Sequence, residues 1–171
     1  MIKTKIKKIL VSTDFSAHSL AAVEYARVIA NKFHAQILLV HVVDTVPVPG
    51  VTSLDPEKGK LVRKMERKAL KELTAFAHDH LKRIRNPQLV LCTGVPYDEI
   101  VRVATNEGAD LVVISTHGRT GLAHVIIGSV AERVVRYSPV PVLTVKPEGM
   151  NETPASSSTR QSVKTKRNDR E

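Results

Sequence analysis

Cysteine and aromatic residues are scarce in this chain of 171 residues. It has one cysteine, Cys92, no tryptophan, and three residues each of phenylalanine and tyrosine. A single cysteine excludes an internal disulfide framework and any metal site built from several cysteines. So few aromatic rings also leave little material for the stacking platforms with which proteins hold single-stranded nucleic acids.

Long hydrophobic runs are missing as well. No apolar run reaches the roughly 18 residues that a membrane-spanning helix requires. The first ten residues, MIKTKIKKIL, lead into an apolar segment that contains Asp14 and lacks a small-residue cleavage site, so we expect no secretory signal. Hydrophobic residues make up 42% of the chain, which is enough for a buried core. We therefore expect a cytoplasmic protein with one folded domain and no membrane partner.

Acidic residues are the minority, with 17 Asp and Glu against 26 Lys and Arg and a formal net charge of +9. Four lysines lie in residues 1–8, and residues 57–86 hold ten basic and four acidic residues. Residues 150–171 add five basic and three acidic residues. The excess positive charge thus lies outside residues 9–56 and 87–149, which contain the recognisable sequence motifs. We interpret it as a solvated surface and do not expect a nucleic-acid partner, although the basic helix and tail leave polyanion binding as a weaker alternative.

Apolar runs and helical periodicities alternate along the chain. Strands are predicted at 7–13, 36–43, 88–92, 110–115 and 140–146, and helices at 17–33, 57–85, 97–107 and 129–137. In the first helix, Ser16 is the predicted N-cap, and the apolar positions Ala22, Tyr25, Ala26, Ile29 and Phe33 recur at helical spacing. Strand–helix alternation predicts an α/β fold, a mainly parallel sheet with helices on both faces, and a ligand at the carboxyl ends of the strands. Residues 147–171 are polar and predict a disordered basic tail after a domain at 1–146.

The segment from Ser115 to Glu132, STHGRTGLAHVIIGSVAE, leaves the fourth predicted strand and enters the last helix. Its glycines allow a ligand to approach the backbone closely, and a helix N-terminus attracts phosphate. Ser129, His117 and Arg119 could add hydrogen-bond donors. A capping box formed by Ser129 and Glu132 is the alternative interpretation. The sequences GxxxxGK[ST] and GxGxxG are absent, which argues against a P-loop NTPase and a dinucleotide-dependent oxidoreductase.

Several segments together resemble universal stress proteins. They are Lys8–Ser16 (KILVSTDFS), Leu39–Val43 (LVHVV), Gly94–Pro96, Asp110–Val113 and Ser138–Val145. The loop is similar to that family's nucleotide signature, in which two glycines separated by two residues are followed by nine residues and Gly-Ser or Gly-Thr. Gly118 and Gly128-Ser129 have this spacing, whereas Ser115 replaces the first glycine. The resemblance covers residues 5–146.

The resemblance implies an open, five-stranded parallel sheet and a small cytoplasmic ATP-binding sensor or adaptor in stress responses, with magnesium arriving with ATP. The residues implied for the site are Ser12, Thr13, Asp14, Val42, Ser115, His117, Gly118, Arg119, Gly128, Ser129 and Val130. Asp14 would lie near the ribose, the Val42 backbone would bind adenine, and the glycines with Ser129 and Val130 would hold the phosphates. The resemblance also implies a homodimer through the last strand, Val140–Val145, and an unknown protein partner.

Alternatives remain for the function and for single residues. If Ser115 needs a positive φ, its Cβ could crowd the ligand, which favours a protein-interaction module that binds no nucleotide. Slow ATP hydrolysis, or autophosphorylation on a loop Ser or Thr, is a third hypothesis, although no Ser-His-Asp or paired-carboxylate arrangement is evident. Asp14 could instead cap the first helix or make a turn. We interpret His41 as a hydrogen-bonded core histidine and Cys92 as a buried apolar residue.

Overall fold

The computed structural model describes residues 5–45, 56–118 and 127–146. Strands and helices alternate along them in the predicted order. The elements are β1 (Lys8–Ser12), α1 (Ala17–Phe33), β2 (Gln36–Asp44), α2 (Pro56–His80), β3 (Gln88–Gly94), α3 (Pro96–Asn106), β4 (Leu111–Ser115), α4 (Ser129–Tyr137) and β5 (Val142–Val145). Residues 46–55, between the second predicted strand and the second predicted helix, and the predicted tail at 147–171 lie outside the described residues.

The five strands form one sheet in the order β3-β2-β1-β4-β5, and every neighbouring pair is parallel. The prediction of a five-stranded parallel α/β fold is confirmed. From β1 the chain proceeds to β2 and β3 on one side, whereas β4 and β5 lie on the other side. The strand order therefore reverses between β1 and β4, and in such sheets the crevice outside the carboxyl ends of these strands is the usual ligand site.

Alternate strand residues supply two cores, one on each face of the sheet. Ile9 and Val11 pack with buried residues of α1 and α2, whereas Leu10 packs with buried residues of α3 and α4. The buried strand residues are mostly branched and apolar, as expected for strands covered on both faces. None of the helices in the described ranges is both long and apolar enough to cross a membrane.

The first helix confirms its predicted cap, and only part of its apolar spacing is buried. The Ser16 hydroxyl accepts a hydrogen bond from the Ser19 amide at 3.1 Å. Tyr25 and Phe33 are 58% and 51% exposed. The buried positions are Ser19, Ala22, Val23, Ala26 and Ala30. These side chains are small, which lets the helix axis approach the sheet closely and turns the larger rings outward.

Two predicted boundaries are wrong for identifiable reasons. The second helix ends at His80 instead of residue 85, because the chain turns there and buries both Leu81 and Ile84 in the core. The last strand begins at Val142 instead of residue 140, after Pro141, which has no amide to donate to a ladder. The Pro141 carbonyl still accepts from the Val112 amide at 2.9 Å. The last strand is an edge of the sheet.

Candidate functional site

A cavity of about 590 Å³ opens at the carboxyl ends of β1, β2 and β4. Its size falls within the range of small-molecule sites, about 300–1,000 Å³. Ten of the eleven residues predicted for the site line it, namely Ser12, Thr13, Asp14, Val42, Ser115, His117, Gly118, Gly128, Ser129 and Val130. Arg119 lies outside the described residues. The tertiary structure therefore brings together segments from the first strand and the last helix, which are far apart in the sequence.

One wall of this cavity was not predicted. It comes from α2, through Met65, Lys68, Ala69 and Glu72. Met65 and Ala69 belong to an apolar stripe of that helix, in which apolar residues recur every four positions. Nothing in the sequence indicated which part of the stripe would cover the core and which would border the cavity, because that depends on how the helix crosses the sheet.

The turn between β1 and α1 is held by side-chain hydrogen bonds. Asp14 Oδ1 accepts from the Ser16 amide at 3.0 Å and from the Ser16 hydroxyl at 2.5 Å. This is an Asx turn, so of the alternative roles for Asp14 the turn is confirmed, whereas Ser16 itself caps the helix. Thr13 Oγ1 accepts from the Phe15 amide at 3.0 Å and lies 3.0 Å from Ser19 Oγ. The turn thus presents its acidic side chain in one defined orientation.

Gly118 passes close to that carboxylate. A Cβ added at Gly118 would lie 2.9 Å from Asp14 Oδ2, closer than a carbon and an oxygen approach without displacement. The glycine is therefore required here by the close approach of two chain segments. This contact joins the end of the β4 segment to the turn after β1.

His41 and Phe15 form the base of the same region. His41 is buried, and its Nδ1 lies 2.8 Å from the Thr13 carbonyl, to which it donates. Phe15 adopts a left-handed conformation with φ of 64°, and its ring stacks on His41 at 4.2 Å. The prediction of a hydrogen-bonded core histidine is confirmed, and His41 also borders the cavity.

Ser115 does not need the backbone freedom of the glycine that it replaces. It is the last residue of β4 and pairs with Val145. Among the described non-glycine residues, positive φ occurs at Phe15, His34 and Asn86, so Ser115 has an ordinary extended conformation. Its hydroxyl accepts a hydrogen bond from the His117 amide at 3.3 Å. The argument that Ser115 favours a protein-interaction module without nucleotide required a positive φ at this residue, and Ser115 does not have one.

The N-terminus of α4 opens into the cavity. Gly128 is its N-cap, with φ of −63° and ψ of 152°, and among the described residues no side-chain hydrogen bond caps this end of the helix. The capping box of Ser129 and Glu132 is therefore wrong, because Ser129 already occupies the first helical position. The Gly128 amide donates to the Thr116 carbonyl at 2.7 Å, which ties the helix start to the end of β4. The amides that follow belong to residues that line the cavity.

Cys92 lies in β3 and is buried, as predicted. Burial, followed by the negative charge of Glu99 and a hydrogen bond to its side chain, raises the pKa of the thiol above its ordinary value. A thiol of this kind is a poor nucleophile. Within the described residues, no group of three or more His, Cys, Asp and Glu side chains is arranged to hold a metal ion.

Comparisons with known proteins agree on one family. The family model described as "Universal stress protein family" matches residues 5–146. A universal stress protein of Methanocaldococcus jannaschii is 38% identical over 146 residues, and the match covers 82% of each chain.

Solved structures show the same likeness. Universal stress protein UspA from Lactobacillus plantarum has a TM-score of 0.71 at 25% identity, covering 82% of this chain and 98% of that one. A universal stress protein in complex with cAMP has a TM-score of 0.57 at 25% identity, covering 84% of this chain and 98% of that one. With the parallel sheet and the cavity at its switch point, the match over 5–146 shows that the chain belongs to the universal stress protein family.

Proposed function

We propose that this protein binds an adenine nucleotide, ATP with its magnesium ion, and acts as a cytoplasmic sensor or adaptor in stress responses. The observation that carries the proposal is the uncapped N-terminus of α4 in the wall of the cavity. Amides at a helix N-terminus carry a partial positive charge and bind phosphate oxygens. Gly128 adds no side chain that would compete for them.

The N-terminus of α4 favours one orientation of the nucleotide. It borders the cavity at Gly128, Ser129 and Val130, whereas Val42 borders it from β2. Because helix N-terminal amides bind phosphate oxygens, the phosphates belong at Gly118, Gly128, Ser129 and Val130, and the nucleoside belongs toward Val42.

The lining near Val42 suits a nucleobase. Val40, Met65, Ala69, Ile100 and Ile114 border the cavity with apolar side chains. A flat heteroaromatic ring binds against such a surface while a few backbone groups provide its hydrogen bonds. The relative solved with cAMP binds an adenine nucleotide on the same fold, which supports this class of ligand.

Magnesium belongs to the nucleotide in this proposal. Asp14 is the carboxylate nearest to the phosphate-binding segments, and its Oδ1 already accepts two hydrogen bonds from Ser16. Mg²⁺ commonly binds through one or two carboxylates together with substrate phosphates and water. Asp14 therefore suits the ribose or a water of the ion better than a protein-only metal site.

Replacing Ser129 by Asp tests the phosphate position. A carboxylate at the first position of α4 interacts favourably with the helix dipole, so folding is retained, whereas it repels a bound phosphate. We expect Ser129→Asp to lose most of the affinity for ATP-Mg in isothermal titration calorimetry. Thr74→Asp adds the same charge to the exposed face of α2 and should bind as the wild type does.

Two outcomes would contradict the proposal. Wild-type protein that gives no heat with millimolar ATP-Mg and releases no nucleotide when freshly purified protein is denatured would exclude ATP binding. Equal affinity of Ser129→Asp and wild type would exclude phosphate binding at α4 while leaving nucleotide binding intact.

We also propose a homodimer through residues 140–145, because β5 is an edge strand. The carbonyls of Pro141 and Val145 accept hydrogen bonds from the β4 side, so the backbone of Thr144 faces outward. Thr144→Pro removes an outward amide and should convert a dimer to a monomer in sedimentation velocity, whereas Thr144→Ala should not. A dimer that survives Thr144→Pro would place the interface elsewhere.

A further inference from the structure

His18 is a polar residue whose contact was not predicted from the sequence. It occupies the second position of α1, one residue after Ala17 and two after the N-cap Ser16. Its Nδ1 lies 2.9 Å from the carbonyl oxygen of Gly118, which is 100 positions away in the sequence. A carbonyl oxygen only accepts hydrogen bonds, so Nδ1 carries the proton and donates.

This hydrogen bond completes the attachment of Gly118 to the β1–α1 segment. Asp14 Oδ2 lies 2.9 Å from the position that a Cβ on Gly118 would occupy. His18 holds the carbonyl of the same residue. The ring of His18 also lies edge-on to the buried ring of His117, with centroids 6.3 Å apart. Gly118 is thus fixed by two side chains of the β1–α1 segment and by the neighbouring ring.

The element that carries His18 is itself rigidly placed. Ser16 caps α1, and Ala22, Val23 and Ala26 are fully buried against the sheet. His18 is not among the residues that line the cavity. Any influence on a ligand therefore acts through the residues that His18 contacts and that do line it, Gly118 and His117.

The two ends of the segment between β4 and α4 are held in different ways. At the α4 end, the Gly128 amide donates to the Thr116 carbonyl at 2.7 Å, which is a contact within the segment itself. At the β4 end, the side chain of His18 provides the hydrogen bond to Gly118 from another element. A backbone group that is already oriented before binding loses less conformational entropy when the ligand arrives.

We propose that His18 is a positioning residue for the backbone at Gly118, which is one of the proposed phosphate-binding residues. Its hydrogen bond to Gly118 increases the affinity for the nucleotide phosphates. The inference rests on the proposed function, since it concerns the same site. His18 acts by preorganising the backbone at Gly118 and not by touching the ligand.

Two substitutions distinguish the effect of the hydrogen bond on affinity from the effect of the size of the histidine ring. Asn carries a side-chain nitrogen on Cγ, as histidine carries Nδ1, so His18→Asn can retain the donor. His18→Leu has similar branching at Cγ and no donor. We expect His18→Leu to raise the Kd for ATP-Mg about fivefold, as the loss of one ordinary hydrogen bond implies, and His18→Asn to stay within about twofold of wild type.

The measurements are calorimetric Kd values for the three full-length proteins, together with urea unfolding and amide hydrogen exchange without ligand. The proposal predicts faster exchange near Gly118 in His18→Leu than in wild type and His18→Asn. Equal Kd values for wild type and His18→Leu, or an Asn variant as weak as the Leu variant, would overturn it. If the wild-type protein itself gives no binding heat, the proposed function fails and the inference fails with it. If the wild-type protein binds ATP-Mg and His18→Leu binds it equally well, only the inference fails.

Discussion

Gly118→Ala is the substitution for which the structure predicts the most definite cost. The new Cβ would lie 2.9 Å from Asp14 Oδ2, so either the carboxylate or the backbone at Gly118 has to move. Asp14 is held by the amide and the hydroxyl of Ser16, and moving it weakens these hydrogen bonds. The substitution therefore affects both the turn after β1 and the N-cap of α1.

The magnitude follows from two opposing contributions. Hydrogen bonds to a charged group contribute about 1.5–3 kcal/mol, which is the range of the loss if Asp14 is displaced. Replacing glycine by alanine at a compatible backbone position stabilises by about 0.4–1 kcal/mol through the unfolded chain. We expect Gly118→Ala to lower the free energy of unfolding by about 0.5–2.5 kcal/mol, the range spanned by the difference between these two contributions.

The assay is urea unfolding followed by far-ultraviolet circular dichroism, since the chain has no tryptophan for fluorescence. A double-mutant cycle with Asp14→Ala isolates the contact, because Asp14 is the residue that the new methyl group meets within the described part of the chain. In that background Gly118→Ala should be neutral or stabilising. Gly59→Ala is the matched control, since the three described atoms nearest to its Cβ belong to the flexible Arg63 side chain, the first at 3.6 Å, and it should stabilise α2.

Either of two results would contradict this explanation. If Gly118→Ala costs the same in the wild-type background as in the Asp14→Ala background, the carboxylate is not what the methyl group displaces. If it costs nothing in the wild-type background, the close approach of the two segments does not exist in solution.

Three further predictions concern other parts of the fold. Ser16→Ala removes the α1 cap and the hydroxyl that donates to Asp14 Oδ1, and should lower the free energy of unfolding by about 1–2 kcal/mol in urea. Leu73→Ala opens a cavity at a fully buried position and should cost about 2–5 kcal/mol in the same assay, whereas a smaller loss would mean that the core collapses around the site. Because burial and Glu99 raise the pKa of Cys92, little thiolate exists at about pH 7–8, so iodoacetamide should label native protein far more slowly than urea-unfolded protein. Equal labelling rates would show that Cys92 is accessible and unperturbed.

The order of strands and helices could be predicted because each element has its own local pattern. Short apolar runs such as Ile9–Val11 indicate buried strands, and the spacing of Ile100, Val103 and Ala104 indicates a helix face, which the structure buries. The same patterns could not indicate where α2 ends or which residues of α1 face inward. Those details depend on how Leu81 and Ile84 pack and how closely a helix can approach the sheet, which are properties of the assembled core.

The candidate site also has features that local sequence patterns predict and features that depend on the assembled fold. The glycine spacing, the residues around Asp14 and the family could be predicted from the amino-acid sequence, because short segments with defined chemistry carry them. The folded structure was needed to show that α2 borders the cavity, that Ser115 has an ordinary extended conformation, and that His18 donates to Gly118. Such contacts join segments that are distant in the sequence, so they are set by strand order and by the way the helices pack on the sheet, and no local pattern records them.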